Sequence, residues 1–159
     1  MNKLLSAALL TASSLTTVIA VAAPPKDVIS DGVVKIGVLT DMSGVYSTLG
    51  GKGTQVAVEM AAKDFGGKVL GKPIVVIGAD HQNKADIASA KAREWFDNEQ
   101  VDMITGLLNT GCALAVQKLG GDKKRITMNT GAASTELTNK ASTPYSIHYV
   151  YDTLSLIHI

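Results

Sequence analysis

A run of largely β-branched residues, Val33-Val34-Lys35-Ile36-Gly37-Val38-Leu39, leads into a glycine-punctuated turn, Asp41 to Gly51, and then into a helical pattern that begins near Lys52. A short apolar run of this kind reads as a strand covered on both faces, the kind found in parallel sheets. Strand, glycine turn and helix in that order open a crossover unit. The loop at the carboxyl end of such a strand is where open α/β folds hold their ligands.

The pattern then repeats. Thr54 to Phe65 places Val56, Ala57, Met60 and Ala61 on one helical face and Gln55, Glu59 and Lys63 on another, with Gly66-Gly67 as the stop. Pro73 to Ala79 is a second strand, with the proline at its first position. Asn83 is the expected N-cap of a second helix, with Asp86 in its first turn. Ala85, Ala88, Ala92, Trp95 and Phe96 form its expected inner face. Val101 to Thr105 is a third strand, and Asn109-Thr110-Gly111 a turn with Thr110 as cap. Cys112 to Leu119 is a third helix, stopped by Gly120-Gly121. Arg125 to Met128 is a fourth strand, Asn129 to Thr135 a loop of small residues, and Tyr145 to Tyr151 a candidate fifth strand. The alternation β-α-β-α-β-α-β predicts an α/β fold, a parallel sheet flanked by helices with right-handed crossovers.

The first strand follows a segment with the form of a secretion signal. Asn2 and Lys3 precede an uncharged stretch from Leu4 to Val21, and Ala20-Val21-Ala22 supplies the small-x-small pattern a signal peptidase needs. Cleavage is expected after Ala22, because cutting after Ala23 leaves Pro24 first. A membrane anchor is the competing reading; the Ser and Thr content and the cleavage pattern favour a removed signal. Residues 1–22 are thus expected to be a signal peptide and 23–32 a leader, so that the ligand is met outside the cytoplasm. The whole chain carries 15 basic and 14 acidic residues. Removing Lys3 with the signal leaves 14 of each and no net charge. No basic patch interleaved with aromatics suggests a nucleic acid partner. Cys112 is the single cysteine, which excludes an intramolecular disulfide. A small buried apolar side chain is favoured for it over a reactive thiol.

The strand-end loops are Thr40 to Gly51, Asp80 to Asn83, Gly106 to Gly111 and Asn129 to Thr135. Three of them are rich in Ser, Thr, Asn and Gly. Such loops at helix N-termini offer backbone N–H groups and hydroxyls suited to a carboxylate, with Thr110 and Ser134 as the hydroxyls of choice. Each of these residues taken singly also fits a role as a helix cap or turn former. Asp41, Asp80 and His81 lie at strand ends too, but no nucleophile motif, metal-ligand set or phosphate-binding glycine pattern accompanies them. No enzyme activity, cofactor or metal is therefore expected, and His81 reads as an exposed loop residue.

Ile36 to Gly53, Ile104 to Thr110, Asn129 to Thr138 and Ile147 to Thr153 together resemble the type I periplasmic substrate-binding proteins, in the branched-chain amino acid (leucine/isoleucine/valine) class that serves ABC importers. The resemblance implies two α/β lobes joined by a hinge, with a ligand closed between them and an ABC permease in the inner membrane as partner. It places Thr110, beside Asn109, where the family holds a ligand carboxylate, and Gly131 and Ala132 where backbone groups meet the ligand. Ala133 stands where many amino-acid binders have Thr, with Ser134 next to it as a substitute. Leu49 stands where leucine binders often carry Tyr, and Tyr46 offers an aromatic wall instead. Tyr151 lines the cleft or belongs to the core. A ligand-sensing receptor domain uses the same fold and is the alternative function.

The resemblance also implies a longer protein. Residues 33–153 correspond to an incomplete first lobe, and Leu154 to Ile159 resemble an in-frame translation of a sequencing-library adapter rather than the family. A lobe without its partner is expected to bind weakly and to expose apolar surface.

Overall fold

The computed structural model describes residues 31–157. The expected signal at 1–22, most of the expected leader at 23–32 and the last two residues of the expected adapter tail lie outside the described residues.

In chain order the elements are β1 (Val34–Thr40), α1 (Gly51–Asp64), β2 (Lys68–Val69), β3 (Lys72–Asp80), α2 (Ala85–Asp97), β4 (Met103–Gly106), α3 (Thr110–Lys123), β5 (Ile126–Asn129), a 3-10 turn (Thr135–Leu137), β6 (Ser146–His148) and α4 (Thr153–Leu156). One six-stranded sheet runs in the order β2-β3-β1-β4-β5-β6. All its pairings are parallel except β2 with β3. The expected α/β fold, a parallel sheet with helical crossovers, is what forms.

Alternation along the strands sends residues to two faces. Gly37 and Leu39 of β1 face α2 and α3, while Val38 pairs with Gly78 on the face crossed by α1. The main buried cluster lies on the first face: Leu39 and Ile104 from the sheet, Ala88, Ala92, Trp95 and Phe96 from α2, Cys112, Ala113, Val116 and Leu119 from α3. Trp95 and Phe96 do anchor α2, but Ala85, expected on the inner face, is exposed.

Three expectations about local structure need correction, and one hairpin was not foreseen. The apolar stripe of α1 does not face the sheet: Val56 and Met60 are 52% and 60% exposed, and Thr54, Gln55, Val58 and Ala62 turn inward. Gln55 fills the space above Gly78, where a Cβ would come within 2.0 Å of its Oε1. Next, α3 does not stop at Gly120-Gly121 but continues to Lys123, with Lys124 in the left-handed region. Those glycines allow close packing instead: a Cβ at Gly120 would lie 2.8 Å from the Arg125 carbonyl, and one at Gly121 would lie 2.8 Å from Thr143 Cγ2. Asn83 is not the cap of α2; it sits at φ 57, and Lys84 occupies the N-cap position without a side-chain bond. Finally, the β2–β3 hairpin was not expected. Leu70 and Gly71 both have positive φ, as a two-residue type I′ turn requires.

Candidate functional site

Four loops leave the carboxyl ends of β1, β3, β4 and β5, and two aspartates shape the first. Asp41 is fully buried, and its carboxylate accepts from the N–H groups of Gly44 (2.6 Å) and Tyr46 (2.9 Å). Asp80, at the end of β3, accepts from Met42 N (2.9 Å), Gln82 N (2.7 Å) and the Ser43 hydroxyl (2.5 Å). Burial acts to raise the Asp80 pKa; these three hydrogen bonds and the nearby His81 outweigh it and hold the carboxyl below its ordinary 3.8. Both carboxylates are thus acceptors that pin residues 42–46 and carry Tyr46 to its place.

The third loop turns sharply. Gly106 has φ 100, and a Cβ there would come 2.9 Å from the Leu39 carbonyl, so only glycine fits without strain. Leu107 follows at φ 48 and donates its N–H to Leu39 O (2.9 Å). Asn109, not Thr110, then caps α3: its Oδ1 accepts from Cys112 N at 3.1 Å. This leaves Thr110 as the first helical residue, where the N–H groups of Thr110 and Gly111 have no partner within the helix.

Asn129 organises the fourth loop. It is buried, donates Nδ2 to the Ala132 carbonyl (2.6 Å), and accepts at Oδ1 from Ala132 N (3.0 Å) and Gly131 N (3.3 Å). Gly131 permits Leu108 to pack against the loop; a Cβ there would lie 2.5 Å from Leu108 Cδ1 and 2.9 Å from its Cα. A strap after β6 closes over this loop. His148 Nε2 lies 2.7 Å from the Ala132 carbonyl and, facing an acceptor, carries the proton. Tyr149 N donates to Asn129 O (2.9 Å) and Thr153 N to Ala133 O (2.8 Å).

These segments enclose a cavity of ≈ 290 Å³. Tyr46 and Leu49 enter from the first loop, Leu108, Asn109 and Thr110 from the third, Gly131, Ala132 and Ala133 from the fourth, and Tyr151 from the strap. Of the residues singled out in the sequence, the cavity unites Tyr46, Asn109, Thr110, Gly131, Ala132 and Tyr151. Ser134 is not among its lining; its Oγ accepts from Glu136 N (3.3 Å) and starts the 3-10 turn. Ala132 contributes only a wall, because its N–H and C=O are already paired and it is 2% exposed. Leu108 was not singled out in the sequence, where it is one apolar residue of the segment Ile104 to Thr110. A larger hollow, ≈ 650 Å³, lies along the flank of α3 against residues 140–144 and receives none of the strand-end loops.

The cavity lining is uncharged. Its side-chain donors are the Thr110 hydroxyl, the Asn109 amide and the two tyrosine hydroxyls, with the N-terminus of α3 at its wall, a set suited to an anion. His81 lies beneath, fully buried and not an exposed loop residue. Its Nδ1 accepts from Asn83 N (3.0 Å) and stands 3.8 Å from Cys112 Sγ. Burial lowers the His81 pKa below 6.5, against the upward pull of Asp41 and Asp80. Burial, with Asp41 and Asp86, pushes the Cys112 thiol up to about 11, which makes it inert packing as expected.

Comparison with known proteins agrees with this architecture. A crystal structure of a periplasmic binding protein from Burkholderia mallei is 50% identical, with a TM-score of 0.78 over 80% of this chain. A branched-chain amino acid ABC transporter periplasmic ligand-binding protein from Burkholderia xenovorans LB400 is 44% identical, with a TM-score of 0.76 over 78%. A solute-binding protein of an ABC transporter from Rhodopseudomonas palustris, solved with 3,4-dihydroxybenzoic acid, is 27% identical, with a TM-score of 0.67 over 76%. The chain spans 34%, 33% and 33% of the lengths of these three proteins. No curated protein matches it. The periplasmic binding protein family model matches residues 33–158, from the start of the first strand to beyond the last helix, and the chain belongs to that family.

Proposed function

We propose that this chain forms the first wall of the ligand site of an extracytoplasmic solute-binding protein, which delivers an amino acid or related small organic carboxylate to an ABC permease in the inner membrane. The observation that carries this reading is the uncharged cavity at the carboxyl ends of the strands, with Thr110 at the N-terminus of α3 on its wall. A carboxylate there meets the Thr110 hydroxyl at the positive end of a helix dipole. Tyr46, Asn109, Gly131, Ala132 and Tyr151 shape the surrounding wall. The ligand-bound relatives support the same site class, since one was solved with 3,4-dihydroxybenzoic acid and another with 4-hydroxybenzoate. In this reading residues 33–153 are one lobe delivered by a signal at 1–22, residues 154–159 are adapter-derived, and a second lobe closes the cleft.

The test begins with long-read resequencing of the locus across the Thr153 codon, followed by equilibrium binding on the protein expressed from it. Loss of one hydrogen bond to a carboxylate weakens affinity by about tenfold to about a hundredfold. Thr110→Val is expected to fall in that range for a bound carboxylate. Unchanged affinity in that variant would refute the site.

A further inference from the structure

We propose that helix α1 is a self-association surface, on which a second copy of this protein packs its own α1 antiparallel about a two-fold axis. The starting observation is the apolar stripe that the sheet does not take up. Val56 and Met60 are more than half exposed, and they belong to a row of exposed residues four apart: Lys52, Val56, Met60 and Asp64. Residues so spaced form a continuous ridge on a helix surface. Beside it runs a second exposed row, Gly53, Ala57 and Ala61, with almost no side chain. One face of α1 thus offers a ridge with a shallow groove next to it, a shape that packs on its own copy.

Gly53 has no reason within the single chain. A Cβ there would meet nothing within 4 Å, and its φ is not in the left-handed region. Glycine in a helix costs stability relative to alanine. A close approach from outside accounts for the missing side chain.

The charges select the occupant. Lys52 lies in the first turn of α1, at the positive end of the helix dipole, and Asp64 is its last residue, at the negative end. Each opposes the dipole of its own helix, and neither enters an ion pair among the described residues. A second α1, inverted about an axis between Val56 and Met60, sets Val56 against the partner's Met60 and Lys52 against the partner's Asp64. Symmetry repeats both contacts. Each charge then meets an opposite charge and the favourable end of the partner helix. A parallel arrangement would set lysine on lysine and aspartate on aspartate, and is repelled. A ridge that is basic at one end and acidic at the other complements itself only when reversed. A single helix pair buries less than the roughly 1,200 Å² of a standard interface, so the dimer forms only at about 10–100 µM and above.

Sedimentation equilibrium on the protein expressed from its resequenced locus tests this, from about tenfold below to about tenfold above that range. The variants are Lys52→Glu, Asp64→Lys and the two combined. Both substitutions agree with the dipole of α1, so the helix is retained, and circular dichroism checks it. The wild-type mass should rise toward twice that of the monomer. Each single reversal should weaken association by about tenfold or more, and the combined reversal should regain the wild-type value. A wild type that stays monomeric across the range overturns the proposal, whether another segment covers the stripe or water does. Association that the single reversals leave unchanged lies elsewhere on the molecule and also overturns it. A combined variant that stays as weak as the single ones overturns the antiparallel order.

Discussion

The six-membered ring of Trp95 occupies the space where a side chain at Gly37 would begin: a Cβ there would lie 2.5 Å from Cζ3 and 2.6 Å from Cε3. Helix α2 can approach the centre of the sheet because β1 is bare at that point. Gly37→Ala is therefore expected to destabilise by about 1–3 kcal/mol through overpacking, and Trp95→Ala by about 3–5 kcal/mol through a cavity. Urea unfolding followed by far-UV circular dichroism measures both. Equal stability of wild type and Gly37→Ala would show that α2 can shift freely on the sheet.

The cap of α3 gives a second prediction. Asn109 Oδ1 is the acceptor for Cys112 N, so Asn109→Ala should cost about 1 kcal/mol. Asn109→Asp keeps an acceptor oxygen and adds charge favourable to the helix N-terminus, so it should recover most of the loss. Thermal denaturation of the three proteins at neutral pH distinguishes a cap from a side chain that merely fills space.

Stability should fall with acid in two separable windows. His81 is held neutral by burial, with its folded pKa below 6.5. As pH drops beneath 6.5 the unfolded chain takes the proton first, so stability present above that pH declines until the lower folded pKa is reached. Asp80 is held ionised below its ordinary 3.8, so its contribution is present above that pH and is lost from there down through the folded pKa. Urea midpoints measured from pH 8 to pH 3 should show both declines. His81→Leu should remove the first and leave the second, and Asp80→Asn the reverse.

Cys112 is expected to resist modification in the folded protein, being fully buried with a thiol pushed up to about 11. Ellman's reagent should react slowly under native conditions and at once in denaturing urea. Fast native labelling at pH 8 would mean that α3 opens readily away from α2.

The parallel strands and their alternation with helices were legible because apolar β-branched runs, spaced by helical patterns, leave few alternatives; their order across the sheet was not. The strand-end loops were legible for the same reason, Thr110 among them, whereas Tyr46, Gly131 and Tyr151 were singled out through the family resemblance; one cavity is lined by all four and by Asn109. What failed has a common cause: periodicity marks a stripe but not the surface it meets. Val56 and Met60 form a proper apolar stripe, yet α1 turns Gln55 onto Gly78 because that glycine is the low point of the sheet. Gly120 and Gly121 look like a stop signal, but their lack of side chains serves contact with residues 125–127 and Thr143. His81 looks exposed because its burial depends on α3, far along the chain, bringing Cys112 beside it. Ser134 and Ala132 show the same limit within the site, since pairing inside a loop decides which polar groups stay open.

The strand order has a consequence for how the chain acquires its structure. β1 lies at the centre of the sheet, between β3 and β4, and its partners come late: Ile36 is opposite Val76 on one side and Met103 on the other. The first strand to leave the ribosome is therefore flanked on both sides only after residue 106 has been made. Closing those long loops before any pairing is gained makes folding slow relative to a helical protein of this size. Through that interval Val34 to Leu39 is an open β-branched segment, the part of the nascent chain most in need of a holding chaperone.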